Sequence, residues 1–99
     1  MAYKIRHNKT FLNDTFRIAS WLESEWSEKV ATDFIKLLYN KIDTLSKTPF
    51  AGSLTLKSKN VRKLKITKYN KIYYRVQGSI ITILSLFETR QNPEKNKYE

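Results

Sequence analysis

The apolar residues of this chain change their period twice, from two to a helical period and back, and those changes limit what the chain can fold into. Leu12, Phe16, Ala19, Leu22 and Trp26 recur every three or four positions, as do Val30, Phe34, Leu38, Ile42 and Leu45. That spacing places each set on one face of a helix. Ser27 is a good N-cap for the second helix, with Glu28 in the first turn where the helix dipole favours negative charge. The short join at Ser24 to Ser27 predicts an antiparallel helical hairpin. Thr48-Pro49-Phe50-Ala51-Gly52 ends it, because proline cannot continue a helix and pushes its predecessor into an extended conformation.

Elsewhere the period is two, or the apolar residues run together. Tyr3 to His7 alternates as a short strand, and Val61 to Thr67 places Leu64 and Ile66 opposite Lys63 and Lys65. Ile72 to Val76 alternates Ile72, Tyr74 and Val76 against Tyr73 and Arg75, so one of the two adjacent tyrosines is expected in the core. Ile80 to Phe87 is almost continuously apolar, as in a strand covered on both faces. Gln77-Gly78-Ser79 supplies the hairpin turn. Ser53 to Asn60 reads as a polar, basic loop, and Glu88 to Glu99 as a polar, partly flexible tail.

The order strand, helix, helix, strand, strand, strand predicts one α+β domain over residues 1–99. It has an N-terminal strand, an antiparallel helical hairpin and a three-stranded antiparallel meander, forming one twisted sheet with the helices on one face. The expected core includes Leu12, Phe16, Leu22, Phe34, Leu38, Leu64, Ile66, Ile83 and Leu84.

Charge is divided as unevenly as period. From Lys9 to Lys47 six basic and six acidic side chains cancel, so the remaining residues carry the whole net charge of +10. Between Lys57 and Arg75 stand eight basic residues and no acidic one: Lys57, Lys59, Arg62, Lys63, Lys65, Lys68, Lys71 and Arg75. The sheet face away from the helices is expected to carry this run. An anionic partner is implied, and nucleic acid first, since neutralising several phosphates releases counterions. Lysines on a strand face are nevertheless more often solvated surface than an active site.

Several chemistries are excluded. With no cysteine there is no disulfide and no thiolate. His7 alone cannot build a metal cluster, and no metal or other cofactor is expected. Two glycines, Gly52 and Gly78, make no phosphate-cradling loop. The opening residues are charged at every second or third position and no apolar run approaches membrane-spanning length, so a cytoplasmic location without membrane contact is expected. Phosphodiester chemistry would have to run on cations. Crowded lysines and an arginine can stabilise a phosphorane, and a lysine among like charges gives up its proton more readily. Lys63 and Lys65 share a face, Lys71 and Arg75 lie on the next strand, and Arg90 follows the last one.

Two segments carry a family likeness: Tyr69-Asn70-Lys71-Ile72-Tyr73-Tyr74-Arg75-Val76 and Phe87-Glu88-Thr89-Arg90-Gln91-Asn92-Pro93. With the hairpin ending at Pro49-Phe50-Ala51-Gly52, the chain resembles the RelE/ParE superfamily of type II toxin–antitoxin toxins over nearly its whole length. The resemblance implies one of two activities. RelE-like members cut mRNA on the ribosome without a metal; ParE-like members poison DNA gyrase and lack the nuclease residues. Carried over, Lys63 and Lys65 match the catalytic lysine pair, Lys71 stands where the family has an arginine, and Arg90 matches the final arginine. Tyr98 is the nearest counterpart of the nuclease's closing tyrosine, displaced by two positions. Lys57, Lys59, Arg62, Lys68 and Arg75 would hold nucleic acid. The lysine pair and Arg90 incline the expectation to the endoribonuclease, an mRNA interferase, with gyrase inhibition or a non-catalytic nucleic-acid-binding module as alternatives. The resemblance also implies a cognate acidic antitoxin as partner, beside the ribosome and mRNA or gyrase.

Overall fold

Asn8 ends a short strand and opens a helix, its side chain accepting the Phe11 amide at 2.9 Å. The computed structural model describes residues 2–90. Strand β1 is Lys4–His7, helix α1 Lys9–Glu25 and helix α2 Glu28–Leu45. Ser27 caps α2 as expected, accepting the Val30 amide at 3.1 Å. Strands β2 (Ser53–Leu54), β3 (Val61–Lys65), β4 (Asn70–Gln77) and β5 (Ile80–Glu88) follow. They form one sheet in the order β1-β5-β4-β3-β2, with β1 parallel to β5 and the other pairs antiparallel. The two helices share a core with one sheet face, as the change of period predicts.

Three differences from the expectation concern element bounds and the first helix. The two-residue β2 lies inside the segment expected to be a loop, because it is too short to show alternation and is defined only by its pairing with β3. Glu88, expected in the polar tail, is the last residue of β5 and is 3% exposed. The third difference is the phase of α1. Its buried stripe is Phe11, Thr15, Ile18 and Leu22, one residue from the expected stripe, while Leu12 is 48% exposed and Phe16 76%. Both stripes have helical period and share Leu22, so periodicity cannot choose between them. Burying Thr15 is inexpensive because its hydroxyl donates to the Phe11 carbonyl at 2.8 Å. In α2, Ala31 joins Phe34, Leu38, Ile42 and Leu45 in the core, whereas Val30 is exposed.

The alternation in β5 also breaks. Tyr73 pairs with Ser85 but Tyr74 with Ile83, so Leu84 is bulged out of register. The buried positions then run Ile81, Ile83, Leu86 and Glu88, and Leu84 is half-buried instead of core. The partner strand keeps its alternation. Tyr74 enters the helix-side core, and Tyr73 is fully buried outside that cluster, so both tyrosines are interior rather than one. Gly52 packs between Tyr74 and β3: an added Cβ would run into the Lys63 carbonyl oxygen and meet the Tyr74 hydroxyl at 2.7 Å. The Gly52 amide donates to that hydroxyl at 2.9 Å.

Beyond Asn8, whose amide donates to the Ile83 carbonyl at 3.2 Å, no described strand flanks β5 on its β1 side, because the pairing ends at His7↔Ile83. The Thr89 amide points to β4, donating to the Tyr69 carbonyl at 2.9 Å, so by alternation the Leu86 amide points to the vacated side. Asp14 of α1 accepts it at 3.1 Å. A side chain thus replaces the missing strand and also holds the phase of α1. Asp14→Ala should lower the unfolding free energy by about 1–3 kcal/mol, the cost of orphaning a shielded amide. Asp14→Asn, which keeps an acceptor, should lose less. Urea denaturation of the two variants checks this; equal losses would assign the effect to the Arg17 ion pair, whose 3.3 Å contact is the other bond Asp14 makes.

Candidate functional site

Alternation along β3 and β4 turns Lys63, Lys65, Lys71 and Tyr73 to the face away from the helices. Register places Lys63 opposite Tyr73, and Lys65 directly opposite Lys71. Ser53 of β2 stands opposite Lys63. The β3–β4 turn then contributes Lys68 and Tyr69. These residues, apart from the buried Tyr73, line a hollow of about 290 Å³ whose described lining contains four lysines and no acidic residue. The Lys71 ammonium lies 5.9 Å from the Tyr73 ring centre and 6.0 Å from that of Phe87, and Lys68 lies 5.1 Å from that of Tyr69. The aromatic faces offer the cations partial compensation.

A hydrogen-bonded chain holds the turn. The amides of Tyr69 and Asn70 donate to the Thr67 hydroxyl at 3.1 and 3.2 Å, and that hydroxyl donates to Asn70 Oδ1 at 2.7 Å. Asn70 Nδ2 donates to Glu88 Oε1 at 2.9 Å. Arg90 closes the chain, its Nη2 donating to Oε1 at 2.7 Å and its Nε to Oε2 at 2.9 Å. The Arg90 amide donates to Oε2 as well, at 2.9 Å. The guanidinium carbon lies 4.0 Å from the Tyr69 ring centre and 5.1 and 5.2 Å from those of Trp21 and Trp26. Arg90 therefore joins three places: the end of β5, the turn beneath the hollow, and the corner of the helical hairpin.

The sequence-predicted residues divide accordingly. Lys63, Lys65 and Lys71 meet in the hollow, and Lys68, expected only to hold nucleic acid, meets them there. Arg90 is not among the described lining residues; its fork is spread over Glu88. Arg62 departs from the expectation of a single cationic face. Alternation turns it to the helix side, where Nη1 donates to the Gly52 carbonyl at 2.7 Å and the guanidinium stacks on Phe50 at 5.0 Å. Arg75 shares the face of Lys71 but lies outside the described lining, as do the exposed Lys57 and Lys59. Tyr98 lies outside the described residues. Among those described, no three His, Cys, Asp or Glu side chains gather as a metal site, and no helix is long and apolar enough to cross a membrane.

Sequence reasoning missed Glu88, Asn70, Trp21 and Trp26 as a unit. One signal was present: Glu88 is the single acid between Lys47 and Pro93, and it directly follows an apolar strand. A carboxylate in such a place needs a cationic partner if it is buried.

Burial by itself would raise the Glu88 pKa. The hydrogen bonds from the Arg90 side chain, the Arg90 amide and Asn70 together outweigh it and hold the carboxyl below its ordinary value of 4.5. A depressed folded-state pKa means stability that is fully present above about 4.5 and is lost as pH falls through the lower folded value. Glu88→Gln should lower stability at pH 7 by about 3 kcal/mol, the scale for breaking one side of a shielded pair. The 29% exposure of the Arg90 side chain makes that an upper figure. The variant should also show a shallower fall in urea midpoint below pH 4.5 than the wild type. Parallel midpoint curves for the two proteins would remove Glu88 from the acid response.

Against known proteins, residues 5–93 match a family model described as the ParE toxin of the type II toxin–antitoxin system parDE. No curated relative matches the chain in sequence. Among solved structures, one of a chromosomal ParDE system from P. aeruginosa superposes with a TM-score of 0.76 at 16% identity, covering 88% of this chain and 96% of that one. A mutant of the E. coli toxin RelE in the free state gives 0.63 at 14% identity, covering 99% and 95%. The RelBE2 toxin–antitoxin complex of Mycobacterium tuberculosis gives 0.59 at 13% identity, covering 89% and 99%. At such identities the superpositions establish a shared fold.

Proposed function

Since the chain belongs to the ParE toxin family of type II toxin–antitoxin systems, we propose that it arrests growth by binding DNA gyrase and does not cut mRNA. The observation that carries this reading is the state of Arg90. In the nuclease reading its fork must meet a reacting phosphate. Here both prongs hold Glu88, which is buried and also bonded to Asn70. Freeing Arg90 would strand that carboxylate at a cost of up to about 3 kcal/mol. Such a cost would slow the chemical step by up to about two orders of magnitude. A binding toxin needs no such rearrangement.

One observation favours the ribonuclease instead. Lys63, Lys65 and Lys71 share a hollow with Tyr69, a set of cations that could stabilise a phosphorane. The two readings differ in product. Wild-type protein should inhibit supercoiling by purified gyrase and leave translated mRNA intact in primer extension. Ribosome-dependent cuts that vanish in Lys63→Ala/Lys65→Ala would replace the gyrase reading with the nuclease one.

In either case the toxin is held by a cognate antitoxin. A +10 chain suits an acidic partner segment, and the exposed Leu12, Phe16, Trp26 and Val30 of the helical hairpin offer apolar anchors for it.

A further inference from the structure

We infer that the β2 edge of the sheet is a docking surface for an extended, acidic segment of another protein, which adds to it as a further strand. The inference is independent of the gyrase reading, because it stands on the backbone and side chains of the edge.

β2 ends the sheet order, and no described strand lies beyond it. Its pairing with β3 fixes which backbone groups face outward. The Thr55 amide donates to the Val61 carbonyl at 2.9 Å. Antiparallel pairs alternate between hydrogen-bonded and non-hydrogen-bonded ones. The neighbouring Leu54↔Arg62 pair is therefore of the second kind, so the Leu54 amide and carbonyl point away from β3. They present a donor and an acceptor as an added strand requires. The Thr55 hydroxyl is shared between the Ser58 and Val61 carbonyls at 3.0 and 3.1 Å and braces the backbone just past Leu54.

The side chains here are apolar where sheet edges are ordinarily guarded by charge. Leu54 stands opposite Arg62 and so shares its face. On that face the Arg62 guanidinium stacks on Phe50 and bonds the Gly52 carbonyl. Phe50 is nonetheless 59% exposed and Leu54 58%, and Leu56, two positions on, is 92% exposed. Leucines beside outward backbone groups separate a peptide strand from nucleic acid, whose phosphates use neither a leucine nor a backbone carbonyl. Charge decides which peptide. Lys57 and Lys59 follow directly, both exposed, and the chain carries +10. An acidic segment is attracted, and a second copy of this chain is repelled. β2 is two residues long, so the ladder it offers is short, and apolar residues of the partner packing on Phe50, Leu54 and Leu56 supply the rest of the affinity.

The test is fluorescence anisotropy of the full chain with a labelled peptide that alternates glutamate and valine. Two control peptides accompany it. One has the same residues in separate blocks; the other has its backbone amides methylated, which removes the strand donors and keeps the side chains. The alternating peptide should bind about tenfold tighter than either control, since main-chain bonds and alternate side chains act together in strand addition. Leu54→Ser/Leu56→Ser should weaken it about tenfold, the scale for losing apolar anchors. Leu54→Pro deletes the outward amide at a place where edge strands tolerate proline, and should weaken binding as much. Lys57→Ala/Lys59→Ala should weaken it less and flatten its dependence on salt. Leu37→Ser, at an exposed leucine of α2, should leave it unchanged. Circular dichroism and the urea midpoint show whether each variant is folded, and the comparison of peptides on the wild type needs no variant. Equal binding of the alternating and methylated peptides would overturn strand addition. Equal losses from Leu37→Ser and the edge pair would overturn the site. A dimer of the protein alone in sedimentation, lost in Leu54→Pro, would reassign the edge to a second copy. Binding of duplex DNA that the leucine variants weaken as much as they weaken the peptide would remove the peptide as the partner.

Discussion

The site hangs on one buried carboxylate. Glu88 is drawn under the end of β5 in a half of the chain that is otherwise almost wholly cationic. A lone ionised carboxyl there would be strongly unfavourable, and its neutral form would leave Arg90 without its counter-charge. Asn70 and the doubly engaged Arg90 solve both problems at once. The same contacts hold the β3–β4 turn, place Tyr69 against the guanidinium, and bring the Trp21–Trp26 corner of the helices to the sheet. A cation that the family resemblance assigns to chemistry is thus an organising element of the fold, and the turn that lines the lysine hollow is held by it.

The sheet sorts charge by face. Arg62 and its neighbours Lys63 and Lys65 are consecutive or nearly so in the chain, yet alternation sends Arg62 to the helix side, to bind Gly52 and cover Phe50, and the two lysines to the other side. What looks like one basic run therefore divides: Arg62 is structural, Lys63, Lys65, Lys68 and Lys71 line the hollow, and Lys57, Lys59 and Arg75 lie outside its described lining. The bulge at Leu84 belongs to the same arrangement. It shifts the inward phase of β5 so that Leu86 and Glu88, and not their neighbours, face the helices. Without that shift Glu88 would face the lysine hollow, and neither Asn70 nor the helical corner would have a carboxylate between them.

Register sets Lys65 directly opposite Lys71 across β3 and β4, and like charges so placed contribute nothing favourable to the pairing itself. The helix-side core, by contrast, contains side chains whose polar atoms are satisfied, Thr15 and Tyr74 among them.

Element types, their order and the helical hairpin were legible in the residues, because a period of 3.6 and a period of 2 are local properties of the chain. So were the α2 stripe from Phe34 to Leu45, the Ser27 cap, and the shared face of Lys63 and Lys65, which follows from alternation alone; that Lys71 joins them depends on the β3–β4 register. The phase of α1 was not, since Leu12 and Phe16 satisfy the helical period as well as Phe11 and Thr15 do; the choice came from Asp14 reaching a β5 amide 72 residues away. Leu84 was misplaced because a bulge is a property of two paired strands. Arg90 carried no local sign of its partner either: the charge was evident, but whether it faced a phosphate or Glu88 depended on where β5 ended in space. The sequence by itself determined the period and the charge, and therefore the class of fold. The tertiary structure decided phase, register and which charges neutralise one another, because those follow from distances between segments that the chain order leaves open.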